Sequence, residues 1–142
     1  MKTYFNIVAN NTVWVLNRIT ALLRKRNYNI WELNLTFDKN NLAYFLISID
    51  TEKVDAKQIA NQILKLFDVK DVEIIEDLRR IKKVFYVYSE EKNIFEKLDT
   101  KPDKIVEIPE KFVWIYIIDY DKAEDAKKEF EKNNLFYLEK SI

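Results

Sequence analysis

Trp31-Glu32-Leu33-Asn34-Leu35-Thr36-Phe37-Asp38-Lys39-Asn40-Asn41-Leu42-Ala43-Tyr44-Phe45-Leu46-Ile47-Ser48-Ile49 is the stretch that decides the fold. Trp31, Leu33, Leu35 and Phe37 alternate with Glu32, Asn34, Thr36 and Asp38, the period of a half-buried strand. Asp38-Lys39-Asn40-Asn41 reads as a hairpin turn, with Asn accepting the positive φ that glycine usually supplies. Leu42 to Ile49 is the return strand, and Ala43, Phe45, Ile47 and Ile49 face one way. Outward toward the N-terminus, Thr3 to Ala9 alternates with Phe5, Ile7 and Ala9 on one face, a strand. Asn10-Asn11-Thr12 is a turn cluster able to cap a helix. Val15, Ile19, Leu22, Leu23 and Arg26 then carry helical spacing, and Asn27-Tyr28-Asn29 ends the helix.

On the other side of the hairpin, Asp50 or Thr51 is expected to cap a second helix. Its apolar stripe is Ala56, Ile59, Ala60, Ile63, Leu66 and Phe67. Val69 to Ile75 follows as a fourth strand. Strand, helix, strand, strand, helix, strand is the split βαβ or ferredoxin-like order. It implies an antiparallel four-stranded sheet with two helices on one face and the other face open.

The eight residues Glu76 to Lys83 form the most charged linker of the chain. After it the order returns in shorter form. Val84 to Tyr88 is a strand, Asn93 to Leu98 one or two helical turns, Lys104 to Ile108 a strand and Pro109-Glu110-Lys111 a turn. Phe112 to Tyr120 is apolar on both faces, which reads as a strand covered on both sides. Asp121-x-x-Glu124 resembles a capping box, followed by a helix with Ala123, Ala126 and Phe130 inward. Asn133-Asn134 stops it, and Leu135 to Leu138 closes the sheet. The fold expected is α+β, two ferredoxin-like (βαββαβ) domains in tandem, 1–77 and a shortened 78–142. The first half carries 10 basic and 10 acidic residues and the second 14 of each, so neither is a charged tail.

Composition narrows the chemistry. The 142 residues contain no glycine, cysteine or histidine and two prolines. Walker and Gly-x-Gly-x-x-Gly phosphate loops are excluded, because their backbone needs glycine. Structural zinc sites of Cys and His are excluded, as are Ser-His-Asp and Cys-His catalysis. Asp, Glu, Lys, Tyr and Ser are what remain for an enzyme. Lys plus Arg and Asp plus Glu are 24 each, so no net charge gathers nucleic acid or anionic lipid. Hydrophobic residues at 48% suffice for a folded core. No apolar run approaches the ~18 residues of a membrane span. The N-terminal segment lacks a signal-peptide h-region and cleavage site, so a cytoplasmic location is expected.

One segment carries a family likeness: Asn11-Thr12-Val13-Trp14-Val15-Leu16-Asn17-Arg18-Ile19-Thr20-Ala21-Leu22-Leu23-Arg24-Lys25-Arg26-Asn27-Tyr28-Asn29-Ile30-Trp31-Glu32-Leu33. It resembles the opening of the ACT domain in the small regulatory subunit of acetolactate synthase (acetohydroxyacid synthase). Asn11, Leu16, Arg18, Ile19, Leu22, Leu23, Arg26, Tyr28, Asn29, Ile30 and Leu33 fall in register with that pattern without a gap. Gln58 to Phe67 followed by Asp68-Val69 is similar to the family's second helix and its Leu-x-Asp-Val ending. Lys104 to Ile108 is similar to a strand of its second domain.

The resemblance implies a non-catalytic subunit that dimerises and binds valine, leucine or isoleucine at the dimer interface. It also implies that the chain modulates a separate thiamine-diphosphate catalytic subunit in branched-chain amino acid biosynthesis. No catalytic residue, metal ligand or cofactor is expected in this chain, and neither nucleic acid nor membrane is an expected partner. The implied effector residues are Asn11, Thr12, Val13, Trp14 and Val15 at the first turn, with Asn29 and Ile30 at the start of the next strand, Asn29 reaching the ligand from the partner copy. A loop entering a helix directs unpaired N–H groups outward, which suits a carboxylate. Trp14 stands where the family has glycine in that turn, and Asn27 where it has glycine before the Tyr-Asn pair. An ACT-like interaction module that has lost the ligand is the alternative, motivated by Trp14.

Other clusters read more plainly. Arg18, Arg24 and Arg26 are either a partner-docking face or a solvated helix face. Arg79-Arg80 with Lys82-Lys83 reads as a wet linker. The aromatics of Phe112 to Tyr120 could stack bases, but zero net charge favours core or interface. Asp119 and Asp121 lie where helix caps belong rather than at a metal site.

Overall fold

A computed structural model describes residues 2–51, 53–91, 96 and 98–142, the side chains of 53 and 54 excepted. The chain divides into two compact units, residues 1–76 and 77–142. In the first unit the order is β1 (Lys2–Asn10), α1 (Val15–Lys25), β2 (Ile30–Phe37), β3 (Leu42–Asp50), α2 (Lys53–Leu64) and β4 (Val69–Ile75). The sheet order is β2-β3-β1-β4, and every pairing is antiparallel.

Two-residue alternation selects which strand residues meet the helices. Phe5, Ile7 and Ala9 of β1 join Ala43, Phe45, Ile47 and Ile49 of β3 in one buried cluster. Onto it α1 lays Val15, Ile19 and Leu23, four residues apart and so on one helix face. α2 lays Ala56, Ile59 and Ile63 on the same cluster. Burying one such Ile or Leu contributes about 1.5–3 kcal/mol before ordering entropy. Both helices therefore cover one sheet face, as the element order implies.

Three expectations for this unit change. Trp31 does not continue the stripe of Leu33, Leu35 and Phe37, because a register shift falls between Ile30 and Glu32. Such a bulge moves the side chains before it to the other face. Ile30 thus pairs with Ile49 and packs on the core, while the Trp31 ring carries the Lys2 ammonium 5.1 Å from its centroid. Phe67 lies beyond the end of α2 and is 79% exposed, not part of its buried stripe. The N-cap of α1 is Trp14, with no side-chain cap bond, so the Asn10-Asn11-Thr12 cluster builds the turn rather than the cap. The cap expected at Asp50 or Thr51 adjoins residue 52, outside the described residues.

The second unit runs β5 (Lys82–Ser89), β6 (Lys104–Ile108), β7 (Lys111–Asp119), α3 (Ala123–Lys132) and β8 (Phe136–Ser141), in sheet order β6-β7-β5-β8, all antiparallel. Leu78–Arg80 makes a short 3-10 turn before it. Its core gathers Phe85, Val87, Trp114, Tyr116, Ala126 and Phe130. Leu98 is buried there too, but most of the helix expected over Asn93 to Leu98 lies outside the described residues.

Here the charged linker is shorter than its composition suggests. Lys82 and Lys83 belong to β5, and Lys83 is buried against Ser141 Oγ (2.7 Å) and Glu139 (3.1 Å). Lys127 closes on the other oxygen of Glu139 at 2.8 Å. Such pairing is what makes a buried ammonium tolerable. The two-sided cover expected of β7 ends at Ile117, which is 51% exposed, and Tyr120 has left the strand for a 3-10 turn. The expected capping box does not form: Lys122 is the N-cap of α3 without a side-chain bond, and Glu124 pairs with Lys127. Asp119 pairs with Lys82. Among the described residues no acidic cluster could hold a metal ion, and no helix is long and apolar enough to cross a membrane.

Candidate functional site

The first turn of unit one is built by its neighbours. Asn10 N–H donates to the Asp68 carbonyl (2.8 Å), and Asn11 N–H to the Asn41 carbonyl (3.0 Å). The Asn11 side-chain amide donates to Asn41 Oδ1 (3.1 Å). Thr12 N–H turns back to Asn10 O (2.9 Å), and Val15 N–H to Thr12 O (3.2 Å). The turn thus rests on the hairpin tip on one side and on the α2–β4 connection on the other.

The tip itself is held by one carboxylate. Asp38 Oδ1 accepts from the amides of Asn40 (2.8 Å) and Leu42 (3.0 Å), and Oδ2 from the Tyr44 hydroxyl (2.9 Å). These bonds, the Leu42 amide foremost, hold the Asp38 carboxyl below its ordinary range, and the bond to Asp38 raises the Tyr44 hydroxyl. Asn41 completes the turn at φ 62°, the left-handed region that Asn tolerates.

The start of α1 carries no side-chain cap. No acidic residue occupies its first turn, so nothing nearby on the helix cancels the positive end of its dipole. Trp14 sits at φ −109°, ψ 9°, on the negative-φ side where glycine is not required. Its indole is 59% exposed, and Val13 is 87% exposed. The large side chain at this position therefore points outward and does not fill the turn.

Asn29 and Ile30 stand elsewhere. They line an open groove of about 450 Å³ with Thr20, Arg24, Asn27 and Tyr28, at the C-terminal end of α1. Asn27 makes the reversal there at φ 60°. Asn11 precedes α1 and Asn29 follows it, and 11 helical residues rise about 16 Å. The structure thus brings Asn11, Thr12, Val13, Trp14 and Val15 together, and Asn29 with Ile30, but not the two groups in one chain.

A further pair went unread in the sequence. Arg18, one helical turn past Trp14, directs Nε and Nη2 at Oδ2 of Asp68, a fully buried carboxylate. Nη2 lies 3.4 Å from the Thr12 hydroxyl, and the guanidinium sits 4.5 Å from the Phe67 ring centroid. Arg18 is therefore not part of a docking face shared with Arg24 and Arg26. An acid directly after an apolar helix stripe and before a strand, as at Asp68, was the available signal: such a residue needs a cation.

A family model described as "AHAS small subunit-like ACT domain" matches residues 5–71. The acetolactate synthase small subunit from Thermotoga maritima superposes with a TM-score of 0.79 at 17% identity, covering 100% of this chain and 96% of that one. The ACT domain of the GTP pyrophosphokinase of Chlorobium tepidum aligns with 53% of this chain and 97% of its own, at 21% identity and a TM-score of 0.47. Among curated protein sequences none matches significantly. Residues 5–71, with their βαββαβ order and helices on one sheet face, are thus similar to the AHAS small subunit-like ACT domain.

Proposed function

We propose that the chain is a non-catalytic regulatory subunit of an acetolactate synthase. In this reading a dimer of its ACT domains senses valine, leucine or isoleucine and modulates a separate thiamine-diphosphate catalytic subunit. The observation that carries the reading is the uncapped start of α1. There the turn of Asn11 to Val15 is braced from both sides, while α1 has no side-chain cap and no acidic residue in its first turn. A carboxylate fits that end, and the amide of Asn11 lies within the same turn.

The other half of the site comes from a second copy. Asn29 and Ile30 line a groove about one α1 length away, too far for one amino acid to reach both within a chain. β2 is an edge strand, and Trp31, Leu33 and Phe37 on it are exposed. An apolar edge of this kind is what a second chain covers, with two-fold symmetry as the default. A cytoplasmic location accords with this role.

The family likeness of residues 5–71 and the full-length agreement of fold with a small subunit support the regulatory role. Calorimetric titration with each of the three amino acids is the test. Saturable heat for at least one is expected, and flat titrations for all three defeat the sensing role. The second reading, an ACT-like dimeric module without a ligand, draws on the exposed apolar side chains of Val13, Trp14 and Phe67 around the turn. Under it, wild type binds none of the three and Trp14→Gly gains binding.

A further inference from the structure

Arg18 ties the start of α1 to the distant connection between α2 and β4. It stands on α1, its guanidinium is held by the buried Asp68 carboxylate of the α2–β4 connection, and its Nη2 faces the Thr12 hydroxyl of the first turn. The Phe67 ring flanks the same guanidinium. Asp68 has little else: its second oxygen, Oδ1, is buried and without a hydrogen-bond partner among the described residues. A buried carboxylate in that condition depends on its cation, and the fork of Arg fixes the direction of each N–H. The backbone of Asp68 meanwhile receives the Asn10 amide. One residue, Asp68, thus anchors the turn twice, through its carbonyl and through Arg18.

We infer that Arg18 is a positioning residue of the effector turn, with Asp68 as its anchor and Thr12 as its point of contact. It touches no ligand in this role. It sets where the amides after Asn11 point, and it ties their position to Phe67, an exposed aromatic on the neighbouring connection. A ligand that draws the turn inward must act on the same guanidinium, so occupancy is felt at residues 67 and 68. The inference rests on the effector reading for its consequence, but not for its geometry.

The test separates the two. Amide hydrogen exchange over residues 10–15 is compared in wild type, Arg18→Lys and Thr12→Val. The double variant Arg18→Met with Asp68→Leu removes the buried pair as a whole and so leaves no orphaned charge to unfold the chain. Ile63→Val, a core substitution far from Thr12 in sequence, serves as the control for plain loss of stability. Exchange at the hydrogen-bonded amides of Asn10, Asn11, Thr12 and Val15 is expected to rise at least tenfold in the three Arg18 and Thr12 variants, with residues 43–49 of β3 unchanged, and to stay at the wild-type level in the control. Where wild type binds a branched-chain amino acid, Arg18→Lys is expected to weaken that binding at least tenfold. Wild-type exchange in the variants, or an equal rise in the Ile63→Val control, overturns the inference. If wild type binds no amino acid the effector reading falls, and the exchange comparison still decides the role of Arg18.

Discussion

Trp14 shows how far a single letter carries. In the sequence it stands where the related pattern has glycine, and a large indole there suggests a filled turn. The backbone at φ −109° needs no glycine, and the indole lies outside the turn, 59% exposed. Side-chain direction at a helix start depends on the exit angle of the preceding loop, which Asn41 and Asp68 set from distant parts of the chain. No local pattern encodes it. Asp38 carries a prediction at the same scale. Its carboxyl titrates below the ordinary 3.8 because the ionised form accepts three hydrogen bonds. A lowered carboxyl stabilises the fold above its unfolded value, and that contribution disappears as pH falls through the folded value. In an acid titration the amide shifts of Asn40 and Leu42 are expected to move together with a midpoint below 3.8. A midpoint at or above it would remove Asp38 from its place as the holder of the turn.

At the scale of elements, period and order were enough for most of the architecture. The β3 stripe read from spacing is buried whole, and that of α1 is buried at Val15, Ile19 and Leu23, with Leu22 half-buried and Arg26 exposed past the helix end, because a period of 2 or 3.6 translates directly into one face. The misses have physical causes. A bulge at Trp31 is invisible to alternation, since it adds a residue without changing composition. Lys83 looked like linker because charge was counted without its partner, and Glu139 lies 56 positions away. The Asp121 box failed because a 3-10 turn takes the place of the cap.

With no glycine in the chain, its reversals fall on other residues: Asn27, Asn41, Asn134 and Glu110 all adopt positive φ. Asn40, equally suited by type, is not among them. Left-handed backbone costs a residue with a Cβ about 1–2 kcal/mol, less for Asn. Asn27→Ala is therefore expected to lower unfolding stability by about 1 kcal/mol, and Asn27→Gly to leave it level or raise it. Denaturant unfolding of the two variants decides, and equal stability of the two would contradict the strain argument.

For the whole molecule, the tandem of two ferredoxin-like units was legible as a repeated order of strands and helices. The proposed effector site was legible only in halves. Its residues were named from the family likeness, and the chain folds them into two places at the two ends of α1. A site that uses both groups therefore needs two copies, each giving Asn11 to one site and Asn29 to the other. Mixing subunits tests this most directly. Chains carrying Asn11→Ala and chains carrying Asn29→Ala are each expected to bind no branched-chain amino acid under conditions that saturate wild type. Unfolded together and refolded in equal amounts, half of the dimers are mixed, and each mixed dimer holds one intact site of two. Calorimetry of the mixture is then predicted to recover about a quarter of the wild-type sites. No recovery on mixing, or wild-type affinity in either variant alone, would contradict a site shared between two copies.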